Sequence, residues 1–131
     1  MLEQTVLAFD FGLKKIGVAL GNTFLKQAQP LVILRPQTKQ ARFEQIENLL
    51  KQWQPDLLVV GLPLTLDGEE QYASNHARRF AHQLNGRFGL PVELVDERES
   101  SVQAQQRMRK NEDEDAMAAA IILERYFDSL S

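Results

Sequence analysis

The chain has 131 residues, enough for one domain with a proper hydrophobic core, and its 44% hydrophobic and 25% charged residues are typical of a folded globular protein rather than a disordered one. With 15 lysines and arginines against 18 aspartates and glutamates, the net charge is −3, so any nucleic-acid binding must come from local basic patches. The lack of cysteine excludes disulfides and thiolate metal sites, and with no membrane-spanning run and no secretory signal we expect one cytoplasmic domain, residues 1–131.

Two apolar runs joined by a glycine-containing turn open the chain. Residues 6–20 predict a β-hairpin in which Asp10 ends the first strand and Ile16 begins the second. A carboxylate inside a hydrophobic strand is costly to desolvate unless a cation or a hydrogen-bond donor meets it. Asp10 therefore either caps the turn through its own backbone or holds a metal ion or phosphate, and this stretch alone favours neither.

A third strand and a helix follow. Pro30 introduces the short apolar strand Leu31–Leu34, so the three strands predict an antiparallel start to a sheet. From Ala41 to Pro55 apolar residues recur at helical spacing and predict a helix whose stripe packs into the core: Phe43, Ile46, Leu49, Leu50 and Trp53.

A nearly all-apolar run, Asp56–Gly61, predicts a strand buried on both faces. The loop Leu62–Gly68 lies at its carboxyl end, where open α/β sheets bind ligands, and Glu69 and Glu70 are expected to begin the next helix. That helix should end at Gly89 and bury a stripe formed by Ala73, Ala77, Phe80, Ala81, Leu84 and Phe88.

We interpret the histidines and arginines of the same helix as structural or surface residues rather than as parts of a binding site. His76 and His82 are too far apart to share a ligand, and we interpret both as structural or surface residues. Arg78, Arg79 and Arg87 form a basic face that we interpret as solvated surface, with a phosphate contact as the alternative.

The C-terminal third adds one strand and two helices. Pro91–Val95 predicts a strand that ends in the acidic pair Asp96 and Glu97, and Ser100 with Gln103 resembles a capping box for a helix that runs to about Met108. An acidic link, residues 112–115, opens the last helix, whose stripe should pack on the sheet: Ala116, Ala119, Ala120, Leu123 and Phe127.

This order predicts an α/β fold with a mixed five-stranded sheet, in which the first three strands are antiparallel and two strands are added in parallel, flanked by helices. Asp10, Glu97 and Asp115 stand at element ends that such a fold brings together. Carboxylates without cysteine suit Mg²⁺ or Mn²⁺, and two such ions about 3.5–4 Å apart can activate water for phosphodiester hydrolysis. The alternative is that Glu97 and Asp115 only cap helices.

Four motifs occur in order along the chain: Phe9-Asp10-Phe11-Gly12-x-Lys14-x-Ile16-Gly17-Val18-Ala19, Val59-Val60-Gly61-Leu62-Pro63-Leu64 with Asp67-Gly68, Asp96-Glu97-Arg98, and Asp115-Ala116-x-Ala118-Ala119 with Ile121-Ile122-Leu123. They resemble the motifs of the YqgF family, also called RuvX, whose members are bacterial proteins of the ribonuclease H-like superfold. The resemblance covers essentially the whole chain. It implies a metal-dependent nuclease that acts in 5′-end maturation of precursor small-subunit ribosomal RNA or, in another view, in Holliday junction resolution.

The same resemblance implies roles for single residues. Asp10, Glu97 and Asp115 correspond to the metal-binding catalytic acids, with two Mg²⁺ or Mn²⁺ ions expected, and Lys14 and Arg98 to residues on the phosphate side. A local basic group is expected to bind substrate phosphates as well: Arg107, Arg109 and Lys110.

The chain also departs from the family pattern. Leu13 stands where the family usually has threonine, and Glu99-Ser100-Ser101 replaces a more usual Leu-Thr-Thr. The segment between Met108 and Asp115 is short and acidic, which leaves Asp113 as a rival to Asp115, although the alanine-rich pattern that follows favours Asp115.

Four functions are therefore compared. A nuclease acting on structured RNA, with ribosomal RNA precursor favoured, ranks first. A Holliday junction resolvase ranks lower because resolvases normally need a dimer and no dimer stripe is evident, so we expect a monomer or weak homodimer. A non-catalytic RNA-binding assembly factor is a third possibility, and an actin-like phosphotransferase is disfavoured because it needs two lobes.

Overall fold

A computed structural model describes residues 3–65, 67–97 and 114–130, except for the side chains of Glu114 and Asp115. The strands and helices of this part are β1 Thr5–Phe11, β2 Ile16–Asn22, β3 Gln27–Leu34, α1 Lys39–Trp53, β4 Leu57–Leu62, α2 Tyr72–Phe88, β5 Val92–Asp96 and α3 Glu114–Asp128. Their order is the predicted one. The helix predicted from Ser100 to about Met108 lies outside the described residues.

The five strands form one mixed sheet in the order β3-β2-β1-β4-β5. β1 pairs antiparallel with β2, and β2 pairs antiparallel with β3. β4 pairs parallel with β1 on one side and with β5 on the other. The predicted mixed sheet is confirmed, and its order puts the carboxyl ends of β1, β4 and β5 side by side at one edge.

The sheet lies between two hydrophobic layers, and successive side chains of β1 point alternately into one and the other. Leu7 and Phe9 pack with α1 and α2, whereas Val6 and Ala8 pack with α3. Residues 116–123 of α3 are all buried, which confirms the predicted stripe and extends it around the helix. Since Asp10 follows Ala8 by two positions, it belongs to the α3 side of the sheet.

Close packing of α3 on the sheet depends on a small residue in β2. A Cβ atom at Gly21 would lie 2.7 Å from Leu123 Cδ2 and 2.9 Å from Phe127 Cζ. A side chain at this position would therefore push the helix away from the strands. None of the helices within the described ranges is long and apolar enough to cross a membrane.

The predicted starts of β3 and α2 are wrong, and each difference has a physical reason. β3 begins at Gln27 rather than Leu31, and Pro30 lies inside it. The strand is at the edge of the sheet and its register with β2 shifts between Val18 and Ala19, where Pro30 pairs, so the missing amide costs little.

α2 begins at Tyr72 rather than at Glu69, because Glu70 forms a β-bridge with Leu64 instead. The buried Ser74 hydroxyl donates to the Pro63 carbonyl and accepts from the Gln71 amide, which pins the start of the helix. Ala73, predicted to be buried, is exposed as a result.

Candidate active site

Asp10 is the penultimate residue of β1 and pairs with Gly17 across the hairpin. Its side chain is half-buried, whereas the four residues before it in the strand are fully buried. The strand thus carries this carboxylate from the core to the sheet edge, as the sequence predicted.

Glu97 directly follows β5, and its backbone amide donates to the Leu62 carbonyl at 3.1 Å, which continues the pairing with β4. The Glu97 side chain is hydrogen-bonded to that of Asp10. Because β4 separates β5 from β1 in the sheet, Glu97 reaches across a whole strand to make this contact. The structure therefore brings together two of the three predicted acids.

Gly61 of β4 lies in the path of that side chain. A Cβ atom on Gly61 would lie 2.5 Å from Glu97 Oε2 and 2.5 Å from Ile122 Cδ1. Both distances are far below van der Waals contact, so Glu97 occupies space that any other residue at position 61 would fill. From the sequence, Gly61 is predicted to end a strand and belongs to the second family motif, but it has no predicted role at the site. A glycine that interrupts a run of large apolar residues was the available signal.

The electrostatics of the pair reflect two carboxyl groups that are held together and partly shielded from water. Burial, as the largest cause, raises the pKa of Glu97 to about 9, and the charge and hydrogen bond of Asp10 add to the effect, with a smaller contribution from Asp96. Arg125 acts in the opposite direction by favouring the ionised form of Glu97. Without a bound cation, the pair therefore retains a proton near neutral pH.

Arg125 belongs to the site although the sequence analysis missed it. This half-buried residue of α3 donates from Nη1 to the Asp96 carbonyl at 2.9 Å, and so ties the helix to the end of β5. A single arginine near the end of a helix has no local signal for such a role, because its partner lies 29 positions away in the chain.

The remaining predicted site residues fall into two groups. Lys14 is exposed at the tip of the β1–β2 hairpin. It lies in an open cleft of about 410 Å³ that is lined by residues 10–15, and therefore by Asp10 as well. The backbone of Asp115 lies in the first turn of α3, and its side chain is outside the described part. Also outside the described residues are Arg98, Arg107, Arg109, Lys110 and Asp113.

Contacts of the α2 side chains agree with the structural interpretation of that helix. Arg78 is ion-paired with Glu70, and the Arg87 guanidinium lies 4.0 Å from the centre of the Phe43 ring. His82 is exposed, and the ring of the half-buried His76 meets that of Tyr72 edge-on at 4.6 Å. These contacts involve neither Asp10 nor Glu97.

The donor atoms of the site suit a hard divalent cation. Among the residues whose side chains are described, no group of three or more His, Asp or Glu side chains forms a metal site. The pair formed by Asp10 and Glu97 nevertheless offers carboxylate oxygens close together in a half-buried setting, where a positive charge would replace the retained proton. The residues present therefore fit Mg²⁺ or Mn²⁺.

Solved structures with the same fold cover nearly the whole chain. A Fowlpox virus resolvase in complex with Holliday junction DNA aligns with a TM-score of 0.64 at 12% identity, covering 96% of this chain and 98% of that one. RuvC from Thermus thermophilus aligns with a TM-score of 0.59 at 15% identity, covering 96% and 95%. At these identities the likeness shows the fold alone, and it confirms the predicted ribonuclease H-like architecture.

Sequence relatives are much closer. A Bordetella pertussis protein named "Putative pre-16S rRNA nuclease" is 63% identical over 131 residues, covering 100% of this chain and 98% of the relative. The RuvX family, described as Holliday junction resolvase, matches residues 4–129. Both names are those of enzymes that cleave phosphodiester bonds, in agreement with the predicted class. The family resemblance is confirmed, and the chain belongs to the RuvX family.

Proposed function

We propose that this protein is a nuclease that hydrolyses phosphodiester bonds with divalent cations held by Asp10, Glu97 and Asp115. The observation that carries the proposal is the hydrogen-bonded contact between the half-buried side chains of Asp10 and Glu97, which lie at the ends of strands that are not neighbours. When both carboxyl groups are ionised, such a pair is unfavourable unless a cation compensates it, and this favours a cation-binding role over a purely structural one. The position of Asp115 in the first turn of α3 makes it the candidate for the remaining ligand.

When bound, Mg²⁺ or Mn²⁺ supplies a polarised water and charge stabilisation for the leaving oxygen of the phosphodiester. The residues of the chain would bind the cations and position the substrate. Asp10 and Glu97 would offer oxygen ligands, and Arg125 would favour the ionised form of Glu97 that ligation requires. Lys14, exposed beside the cleft, would contact a substrate phosphate, as would Arg98, Arg107, Arg109 and Lys110.

The favoured substrate is the precursor of small-subunit ribosomal RNA, because the relative named for that substrate is 63% identical and matches over 98% of its length. Branched DNA is the second candidate, since the family description is Holliday junction resolvase. We further propose that the chain acts in the cytoplasm as one domain and as a monomer or weak homodimer. A non-catalytic assembly factor would instead leave both substrates uncut.

The test compares wild type with Asp10→Asn on precursor ribosomal RNA and on a four-way DNA junction, each with Mg²⁺ and with Mn²⁺. We expect wild type to cleave RNA faster, and Asp10→Asn to lose at least about a hundredfold in rate, because an amide is a poor ligand for hard cations. Glu47→Gln is the matched control, because Glu47 is an exposed carboxylate that pairs with Lys51 on α1. Equal rates for wild type and Asp10→Asn would contradict the metal mechanism, and cleavage of the junction alone would favour the resolvase.

A further inference from the structure

Gly61 lies in the central parallel part of the sheet, between the strands that carry the two acids. In β4 its neighbour on β5 is Val95, and Phe9, which precedes Asp10, pairs with the preceding residue Val60. Gly61 therefore stands between Asp10 and Glu97, on the side of the sheet that faces α3.

We propose that Gly61 is a positioning residue, which keeps open the passage through which Glu97 reaches Asp10. The reason for glycine here is space and not backbone conformation, because Gly61 is not among the described glycines with a positive φ, which are Gly68 and Gly89. The backbone would therefore accept alanine, and only the added methyl group would be in conflict. The inference rests on the proposed function, since it concerns the geometry of the same carboxylate pair.

The atoms that an added methyl group would meet determine what the substitution does. The nearest are Glu97 Oε2 and Ile122 Cδ1, each at 2.5 Å, and both are at the far ends of flexible side chains; Glu97 Cδ follows at 3.0 Å on the same side chain as Oε2. These side chains can turn away without moving the backbone, so we expect the protein to fold with alanine at position 61. The Glu97 carboxyl group would then no longer contact Asp10. The substitution should therefore change mainly the geometry of the site, and lower the stability of the fold only slightly.

The first experiment measures Mn²⁺ affinity by calorimetry and the steady-state kinetics of cleavage for Gly61→Ala. We expect at least a tenfold loss in Mn²⁺ affinity and in kcat, with less than a twofold change in KM for the nucleic acid, because the substrate-binding lysine and arginines are untouched. Wild-type values for Mn²⁺ affinity and kcat in the variant would overturn the inference.

The second experiment separates positioning from a loss of packing. Ile122→Val removes the Cδ1 atom, and therefore relieves one of the two conflicts while leaving the one with Glu97. The conflict with the fully buried Ile122 should give Gly61→Ala a small drop in the midpoint of thermal unfolding. In the double variant Gly61→Ala/Ile122→Val we expect that drop to be relieved while Mn²⁺ affinity stays low. Recovery of both would mean that Gly61 has only a packing role.

A double-mutant cycle tests whether Gly61 acts through Glu97. In a Glu97→Gln background, Gly61→Ala should lower Mn²⁺ affinity less than twofold further, because the ligand that it displaces is already lost. Full additivity of the two effects would contradict the inference.

The crystal structure of metal-free Gly61→Ala gives a readout that does not depend on activity. We expect the side chains of Glu97 and Asp10 to be out of hydrogen-bond distance. A retained contact would overturn the role of Gly61 even if wild type proves to be a nuclease. Conversely, a lost contact would support it even if wild type cleaves neither substrate, so the two proposals can fail separately.

Discussion

At the residue scale, the main feature is a carboxyl group that keeps its proton because of where it is held. Glu97 is half-buried next to Asp10, and Asp96 adds further negative charge, whereas Arg125 favours the ionised form. A group arranged in this way weakens the metal-free fold, because the ionised form is more stable in the unfolded chain. Sites that bind cations accept this cost and recover it on binding.

The pH dependence of stability checks this arrangement. The pKa of Glu97 lies at about 9 in the folded protein against an ordinary value of 4.5, so the folded state binds more protons than the unfolded state between these values. The free energy of unfolding of the chelator-treated protein should therefore fall as the pH rises through this window. Between pH 5 and pH 8 we expect a fall on the order of 4 kcal/mol beyond that of Glu97→Gln, measured by urea unfolding. Parallel curves for the two proteins would contradict it.

At the scale of the elements, α3 and the central strands form the frame of the site. Residues 116–123 of the helix are buried against the sheet, and Arg125 ties its later part to the end of β5. Small residues set the distance between helix and strands, but they do so in two different ways. Gly21 faces backbone as well as side chains, whereas Gly61 faces only the ends of flexible side chains.

Alanine at Gly21 should therefore damage the fold in a way that alanine at Gly61 does not. A Cβ atom at Gly21 would lie 2.7 Å from the Gln27 carbonyl oxygen, a backbone atom that cannot turn away, so Gly21→Ala should lower the free energy of unfolding by about 1–3 kcal/mol. Gly86→Ala is the matched control, because nothing lies within 4 Å of its added Cβ in α2, and it should stabilise by about 0.5–1 kcal/mol. Urea unfolding measures the free energy of unfolding of both variants. Equal effects would show that the close contacts at Gly21 do not exclude a larger side chain.

At the scale of the whole molecule, sheet order and charge distribution determine where a polyanion could bind. The strand order puts the carboxyl ends of β1, β4 and β5 at one edge, and the β1–β2 hairpin presents Lys14 beside the cleft there. The net charge of −3 gives no general attraction for nucleic acid, so binding must depend on such local cations.

Removal of one local cation should therefore weaken binding measurably. We expect Lys14→Gln to raise KM for the nucleic acid about two- to tenfold and to lower the slope of log affinity against log salt by about 1, with Mn²⁺ affinity unchanged. Lys51→Gln is the control, since Lys51 is paired with Glu47 on α1, away from the cleft. Binding measured by fluorescence anisotropy over a salt series checks the prediction. An effect of equal size for both variants would indicate general charge rather than a local contact.

The sequence by itself determined the element order, the mixed sheet and the positions of Asp10 and Glu97 at strand ends, because periodicity and strand limits are local properties of the chain. It misplaced the starts of β3 and α2, since the tolerance of Pro30 at an edge and the contact of Ser74 with Pro63 depend on distant neighbours.

Only the tertiary structure decided how the carboxylates meet. The contact of Glu97 with Asp10 across β4, the space left by Gly61 and the bond of Arg125 to Asp96 each join residues far apart in sequence. Spacing along one strand or helix carries no information on such contacts. Whether a side chain can extend across a sheet depends on the space left by residues of the neighbouring strand, and not on the strand that carries it.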